Sequence, residues 1–308
     1  MKYRKTLPWL AAVAFLATAC GGTSATGTDA SSTTSSAADA PSGADDPSGA
    51  EEKRNKALVL RLYTEAFNKG RTGVVKELVA ADLVQHEKSV PGGAEGQVEL
   101  FKRVKAKIPG AVATVKHVAA DRDLVAVHWH ASATPAKEAT GQAKVDLYRV
   151  RDGRVAEHWG VTQTVPAKTA SGNSLFNDVY RYPQGAPTLS EEQEEKNRKF
   201  AVSAYRRLSD GDVNVIDERW DSRYYQHNPA ITNGTAPLKQ FLQQGAQDGG
   251  SSGGDSDGDA PAAGGGTRFG HTLADGDLVW VFSSDYVVAD LFRVVDGKII
   301  EHWDVAAD

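Results

Sequence analysis

The chain has one cysteine and one methionine in 308 residues. A lone Cys20 can close no disulfide within the chain, so the fold has to be held by its apolar core. The chain also has no basic cluster: 35 Lys and Arg stand against 40 Asp and Glu, for a net charge of −5. That balance gives no footprint for a polyanion, and nucleic acid is excluded as an expected partner. Nor is there a long apolar run. The one near the N-terminus, Leu7 to Leu16, falls short of the roughly 20 residues a membrane-spanning helix needs.

That short run has its own meaning. Lys2, Arg4 and Lys5 precede it, and Ala17-Thr18-Ala19-Cys20 comes after it. A basic start, an apolar stretch and small residues before a cysteine make a cleaved lipoprotein signal over residues 1–20, with Cys20 as the lipidated residue. Residues 21–50 are Ser, Thr, Ala, Gly and Asp without a hydrophobic period, the composition of a flexible tether. The expectation is a protein anchored through Cys20 to the outer face of a bacterial cell membrane.

The remainder of the chain repeats itself. Residues 145–159 read VDLYRVRDGRVAEHW, and residues 289–303 read ADLFRVVDGKIIEHW. The spacing of about 144 residues is far too long for a solenoid and implies two copies of one domain. The first is expected over 51–167 and the second over 189–308, with a Pro-, Ser- and Gly-containing linker at 168–188 and an Asp/Gly/Ser/Ala insert at 245–266. In each copy, apolar residues at helical spacing mark three helices, and alternating strands come after them. Leu58, Val59, Leu62, Tyr63, Ala66 and Phe67 form the first stripe of copy one; Phe200, Ala204, Tyr205 and Leu208 form that of copy two. Ser190 ahead of Glu191 and Glu192 is a helix N-cap with an acidic first turn. Three helices and then a long sheet predict an α+β class, with two tandem cone-shaped domains, each three N-terminal helices packed on a curved antiparallel sheet.

Each copy carries an Asp and a His on neighbouring strands: Asp146 with His158, and Asp290 with His302. The register between them rests on the Val295-Asp296-Gly297-Lys298 turn. A three-residue turn with a bulge sets Asp290 opposite His302 and Phe292 opposite Ile300; a tight two-residue turn sets Asp290 opposite Trp303. An Asp sharing a face with Phe292 is partly desolvated, and it can take a proton beside a carbonyl or give one to the enolate. Asp304, two residues beyond His302, shares its face and is placed to orient it. His128 and His130 alternate with Val127 and Trp129, so both point to one side; with His86 and His158 they make four histidines that a metal would need to gather. No carboxylate or Cys ligand stands at tight spacing with them, and no metal site is assigned. Arg149, Glu157, Arg293 and Glu301 are expected as cross-strand ion pairs on the other face. Trp159 and Trp303 are expected in packing or an interface.

Gln226-His227-Asn228-Pro229, then Gly276 to Val279, then Asp290 to Asp304 resemble the SnoaL-like branch of the nuclear transport factor 2-like superfamily. Copy one keeps most of the pattern, with Glu87 in place of the Asn and Gly160 in place of Asp304. The resemblance favours the bulged hairpin, because related folds turn the residues matching Asp290 and His302 into the cavity. It implies an acid/base role for Asp290 and Asp146. By their positions, His302 and His158 are expected to act with them, and His227, His86, Asp304, Phe292, Tyr148, His128 and His130 to contact the ligand. The implied function is a pocket for a small apolar carbonyl compound, with cofactor-free proton transfer at carbon; a non-catalytic binding module at the cell surface is the alternative. In this superfamily the outer sheet face commonly buries against a second copy, so the two domains are expected as an intramolecular pseudo-dimer.

Overall fold

The computed structural model describes residues 47–249 and 269–308. The signal, Cys20, nearly all of the tether and residues 250–266 of the insert lie outside the described residues. Each half has the same order of elements. The first has α1 (Pro47–Arg61) continuing into a π-helical turn (Leu62–Asn68), α2 (Val75–Leu78), β1 (Val79–Gln85), α3 (Gly93–Lys107), and then β2 (Val112–Asp121), β3 (Leu124–Ser132), β4 (Gln142–Arg151) and β5 (Arg154–Thr164). The second has α4 (Glu191–Ser209), α5 (Val215–Arg219), β6 (Trp220–Gln226), α6 (Thr235–Gly249), β7 (Phe269–Asp275), β8 (Leu278–Ser283), β9 (Val288–Val295) and β10 (Lys298–Ala306). Helix α1 starts four residues earlier than the expected domain, and α6 runs on to Gly249. Ser190 caps α4 by accepting from the Gln193 amide.

The sheets run β1-β5-β4-β3-β2 and β6-β10-β9-β8-β7. Each is mixed rather than purely antiparallel, because its first strand pairs in parallel with its last. That strand arrives from the helices and ends in the Gln-His pair beside the last strand's histidine: Gln85 aligns with His158, and Gln226 with His302.

The hairpins settle the register in a third way. Asp152 and Gly153 have φ of 52° and 68°, and Asp296 and Gly297 have 48° and 69°. Two consecutive positive values are what a tight two-residue turn of matching twist requires. The register then shifts by one residue further along the strand, between Ile299 and Glu301. A tight turn followed by a bulge puts Phe292 opposite His302 and Asp290 opposite Asp304. Asp290, Phe292, His302 and Asp304 therefore share one face, although neither predicted pairing is right. Copy one repeats this, with Tyr148 opposite His158 and Asp146 opposite Gly160.

Each sheet buries both faces. The inner face of sheet one packs under α1, the π-helical turn and α3 through Tyr63, Phe67, Phe101, Val125, Val127 and Trp129. Sheet two packs in the same way under α4 and α6. The outer faces meet one another and the linker in a single apolar cluster that includes Leu147, Trp159, Phe176, Trp280, Leu291 and Trp303. The contact is reciprocal. Asp121 accepts from the Ala274 amide (2.9 Å), and Asp275 from the Ala120 amide (2.8 Å). Arg198 reaches across to Asp121, and Lys56 to Asp275. Trp159 is stacked on His86 and meets His271 edge-on, while Trp303 is stacked on His227 and leans on His117. Equivalent residues of the two halves thus make equivalent contacts.

Candidate functional site

In the second domain, β9 supplies Asp290 and Phe292, β10 supplies His302 and Asp304, α4 supplies Tyr205, and β6 with the residues after it supplies Gln226 and Asn228. Gln226 fixes the chemistry of the imidazole. Its Oε1 accepts from the His227 and Asn228 amides, both at 2.9 Å, so it is an acceptor, and His302 Nδ1 at 2.9 Å must donate to it. The other ring nitrogen, Nε2, lies 3.0 Å from Asp290 Oδ1. With Nδ1 already protonated, a hydrogen bond there needs one further proton held between imidazole and carboxylate. Asp290 Oδ2 accepts from Tyr205 Oη at 2.8 Å. Asp304 Oδ2 accepts from Asn228 Nδ2 at 2.5 Å, and its Oδ1 is buried without a partner. Burial pushes the Asp304 carboxyl up and the neighbouring Asp290 adds to this, against the pull of His302 and Asn228. Asp304 thus faces the pair but does not hydrogen-bond His302; Gln226 orients the ring instead. One ligand atom each from Asp290, His302 and Asp304 lie within 4.8 Å of one another, the one such group among the described residues that could hold a metal ion.

The first domain repeats the core of this arrangement in a sealed form. His158 Nδ1 meets Gln85 Oε1 at 2.9 Å, and Nε2 meets Asp146 Oδ1 at 3.2 Å. Asp146 Oδ2 accepts from Tyr63 Oη and from Trp129 Nε1, both at 2.7 Å. Burial raises the Asp146 carboxyl, but His158, Lys144 and Tyr63 outweigh it and hold it below its ordinary value. Strand register sets Ser283 in the place of Trp129 and Phe292 in the place of Tyr148. Accessibility differs accordingly: the side chains of Asp146 and His158 are 1% and 0% exposed, against 7% and 9% for Asp290 and His302. A surface groove of about 640 Å³ in domain one, between Lys76, Glu95, Glu99 and Arg103, lies away from both.

The sequence-predicted residues thus divide. Asp146, His158, Tyr148, Asp290, His302, Phe292 and Asp304 lie on the inner faces. His86, His128, His130 and His227 do not, and the four histidines of copy one do not converge. His128 and His130 alternate with Trp129 as expected but point outward, where His128 meets His117 (3.1 Å) and both pack on Phe176. His86 stacks on Trp159 and pairs with Glu157. His227 stacks on Trp303 and sits between Glu301 and the Ser174 carbonyl. They serve the contact between the sheets, not a pocket rim. The ion pairs Arg149–Glu157 (2.9 Å) and Arg293–Glu301 (2.6 Å) form across the strands on the outer face. Sequence reasoning missed Tyr63, Tyr205 and Gln85 as contributors; the Gln-His pair repeated in both copies was the available signal.

Residues 57–170 match the family model described as SnoaL-like polyketide cyclase. Among solved structures, the chain is similar to IdmH of Streptomyces antibioticus, a candidate polyketide cyclase, with 30% identity over 36% of this chain and 94% of that one and a TM-score of 0.30. A SnoaL-like candidate polyketide cyclase of Jannaschia has 20% identity over 39% and 91% and a TM-score of 0.32. An NTF2-like protein of unknown function from Mesorhizobium loti has 22% identity over 39% and 97% and a TM-score of 0.31. No curated protein matches the chain. With the family pattern matched over the first domain and the order of elements and strands repeated in the second, the chain belongs to the SnoaL-like polyketide cyclase family and carries its fold twice.

Proposed function

We propose that the chain is a ligand-binding protein of the cyclase type whose working site is the Asp290, His302 and Asp304 group of the second domain. Its ligand is a small, largely apolar carbonyl compound. The observation that carries this reading is the difference between the two copies: the Asp/His pair is fully buried in domain one and a little less deeply buried in domain two. Two carboxylates in unlike surroundings are a means of holding an acid and a base together at one pH. Asp290 takes the proton from the carbon next to the carbonyl. Asp304, whose proton burial helps to retain, gives one to the oxygen as the enol forms. His302 and Tyr205 steady the Asp290 carboxylate. That single enolisation is the step common to isomerisation, dehydration and aldol ring closure, and it needs no cofactor.

The domains act as an intramolecular pseudo-dimer, with domain one as the stabilising half. Anchored through Cys20, the pair works on the outer side of the cell membrane. A second reading, a non-catalytic binding module, draws support from the aromatic filling of domain one. The two separate in one assay. 2-Tetralone, an apolar ketone with acidic C–H bonds, is incubated with the protein in D₂O and its exchange tracked by proton NMR. Exchange well above the buffer rate, reduced on the order of 100-fold by Asp290→Asn, is the outcome expected for general base catalysis. Exchange at the buffer rate with a tetralone-dependent rise in Tm leaves a binding module. Absence of both effects overturns the ligand site.

A further inference from the structure

The two departures of copy one from the family pattern cancel each other. Gly160 stands where domain two has Asp304, and Glu87 stands where it has Asn228. A Cβ placed on Gly160 would lie 2.7 Å from Glu87 Oε2 and 3.4 Å from Asp146 Oδ1. The space that the Asp304 side chain enters from the strand is therefore entered in domain one by the Glu87 carboxylate, coming from the segment after β1. Glu is longer than Asn, and only glycine leaves it room to arrive. The two carboxylates also share a state: Glu87 Oε2 and Asp304 Oδ1 are both buried without a partner. Each domain thus has one imidazole oriented by a glutamine, one strand carboxylate and one further carboxylate with an oxygen that lacks a hydrogen-bond partner, and in domain two these three also lie within 4.8 Å of one another.

What closes the group in domain one is a single indole. Trp129 donates to Asp146 Oδ2 and packs edge-on against Tyr63 and Phe67, at ring separations of 5.3 and 5.4 Å. Ser283 holds the matching position in domain two, where its hydroxyl bonds to Asp285 at 2.7 Å instead.

We infer that domain one contains a second, closed copy of the ligand site, in which Glu87 takes the part of Asp304 and Trp129 stands in the ligand's place. The nature of that ligand, a small apolar carbonyl compound, rests on the function proposed for domain two; the arrangement of the three groups does not.

Two measurements test it. In the first, Gly160→Asp, Glu87→Asn and the double variant are compared by thermal denaturation. Gly160→Asp alone forces a side chain onto the Glu87 carboxylate and lowers Tm by several degrees. The double variant, which recreates the Asp304/Asn228 pattern, regains most of that loss. A double variant no more stable than Gly160→Asp overturns the assignment of Glu87. In the second, 2-tetralone binding is counted by equilibrium dialysis on the whole chain. The wild type binds one per chain and Trp129→Ser binds two; Glu87→Gln in the Trp129→Ser background weakens the added site only. Where Trp129→Ser does not melt cooperatively, Trp129→Leu takes its place. A folded variant that still binds one overturns the assignment of Trp129. A wild type that binds none refutes the function proposed for domain two, while the first measurement still decides the role of Glu87.

Discussion

Removing the strand carboxylate separates the two domains energetically. Asp146→Ala takes the acceptor away from Trp129 Nε1 and from the His158 ring in a dry core, where both Asp146 and His158 are at most 1% exposed. The indole N–H can only donate, and Asp146 Oδ2 is its acceptor. Tyr63 Oη keeps Tyr148 Oη as a partner at 3.0 Å, so two groups are stranded. At about 1–3 kcal/mol for each unsatisfied buried group, and more where charge was involved, the expected loss is about 3–5 kcal/mol. Asp290→Ala strands His302 and Tyr205, but this pair is less completely buried than that of domain one, and water is expected to replace the carboxylate. The loss there is about 1–2 kcal/mol. Urea denaturation of the full chain and both variants, monitored by tryptophan fluorescence, measures each change from the shift in midpoint at constant slope. Equal losses, or a larger loss for Asp290→Ala, would refute the view that one pair is core and the other is site.

Acid should weaken the contact between the sheets. Burial pushes both His117 and His128 below the ordinary histidine value; Asp178 opposes this at His117, while His117, His227 and Lys116 reinforce it at His128. The unfolded chain takes up protons as pH falls below about 6.5 and these folded side chains do not, so stability present above that pH drains away beneath it, at up to about 1.4 kcal/mol per pH unit for each histidine. A pH series of melting curves checks this, and a flat profile between pH 7 and 5 would contradict it. Asp304 works in the opposite sense: its raised carboxyl holds a proton in the folded state, so its own contribution declines as pH rises from the ordinary carboxyl value through the raised one. At the N-terminus, Cys20→Ala should abolish radiolabelled palmitate incorporation and move the protein from the membrane to the soluble fraction. Retention of the label would refute lipidation at Cys20.

Much of the domain could be read from the chain because its signals are local. Periodic apolar residues mark the helices, and the repeated Asp-Gly pairs mark the hairpins. The face of each strand was harder to read. Ordinarily a sheet shows one apolar and one polar side, which tells inside from outside. All nine residues of β3 are buried, so alternation shows that His128 and His130 share a side without showing which side. The same loss of contrast hid His86 and His227, whose partners are tryptophans on the outer face. The bulge after the tight turn left no mark in composition, because a one-residue slip there changes pairing without changing residue type. Glu87 and Gly160 read separately as two departures from the family pattern, and only their closeness in space shows that they belong together.

The reciprocal Asp121–Ala274 and Asp275–Ala120 contacts have a consequence for how such a protein can change over generations. When two separate chains meet at a symmetric surface, every substitution appears on both sides and assembly fails on dilution. Here the halves are joined, so pairing is a first-order event that concentration does not touch, and each half can be altered alone. On the function proposed for domain two, one half keeps a ligand site while the other trades its own for a tightly packed interior.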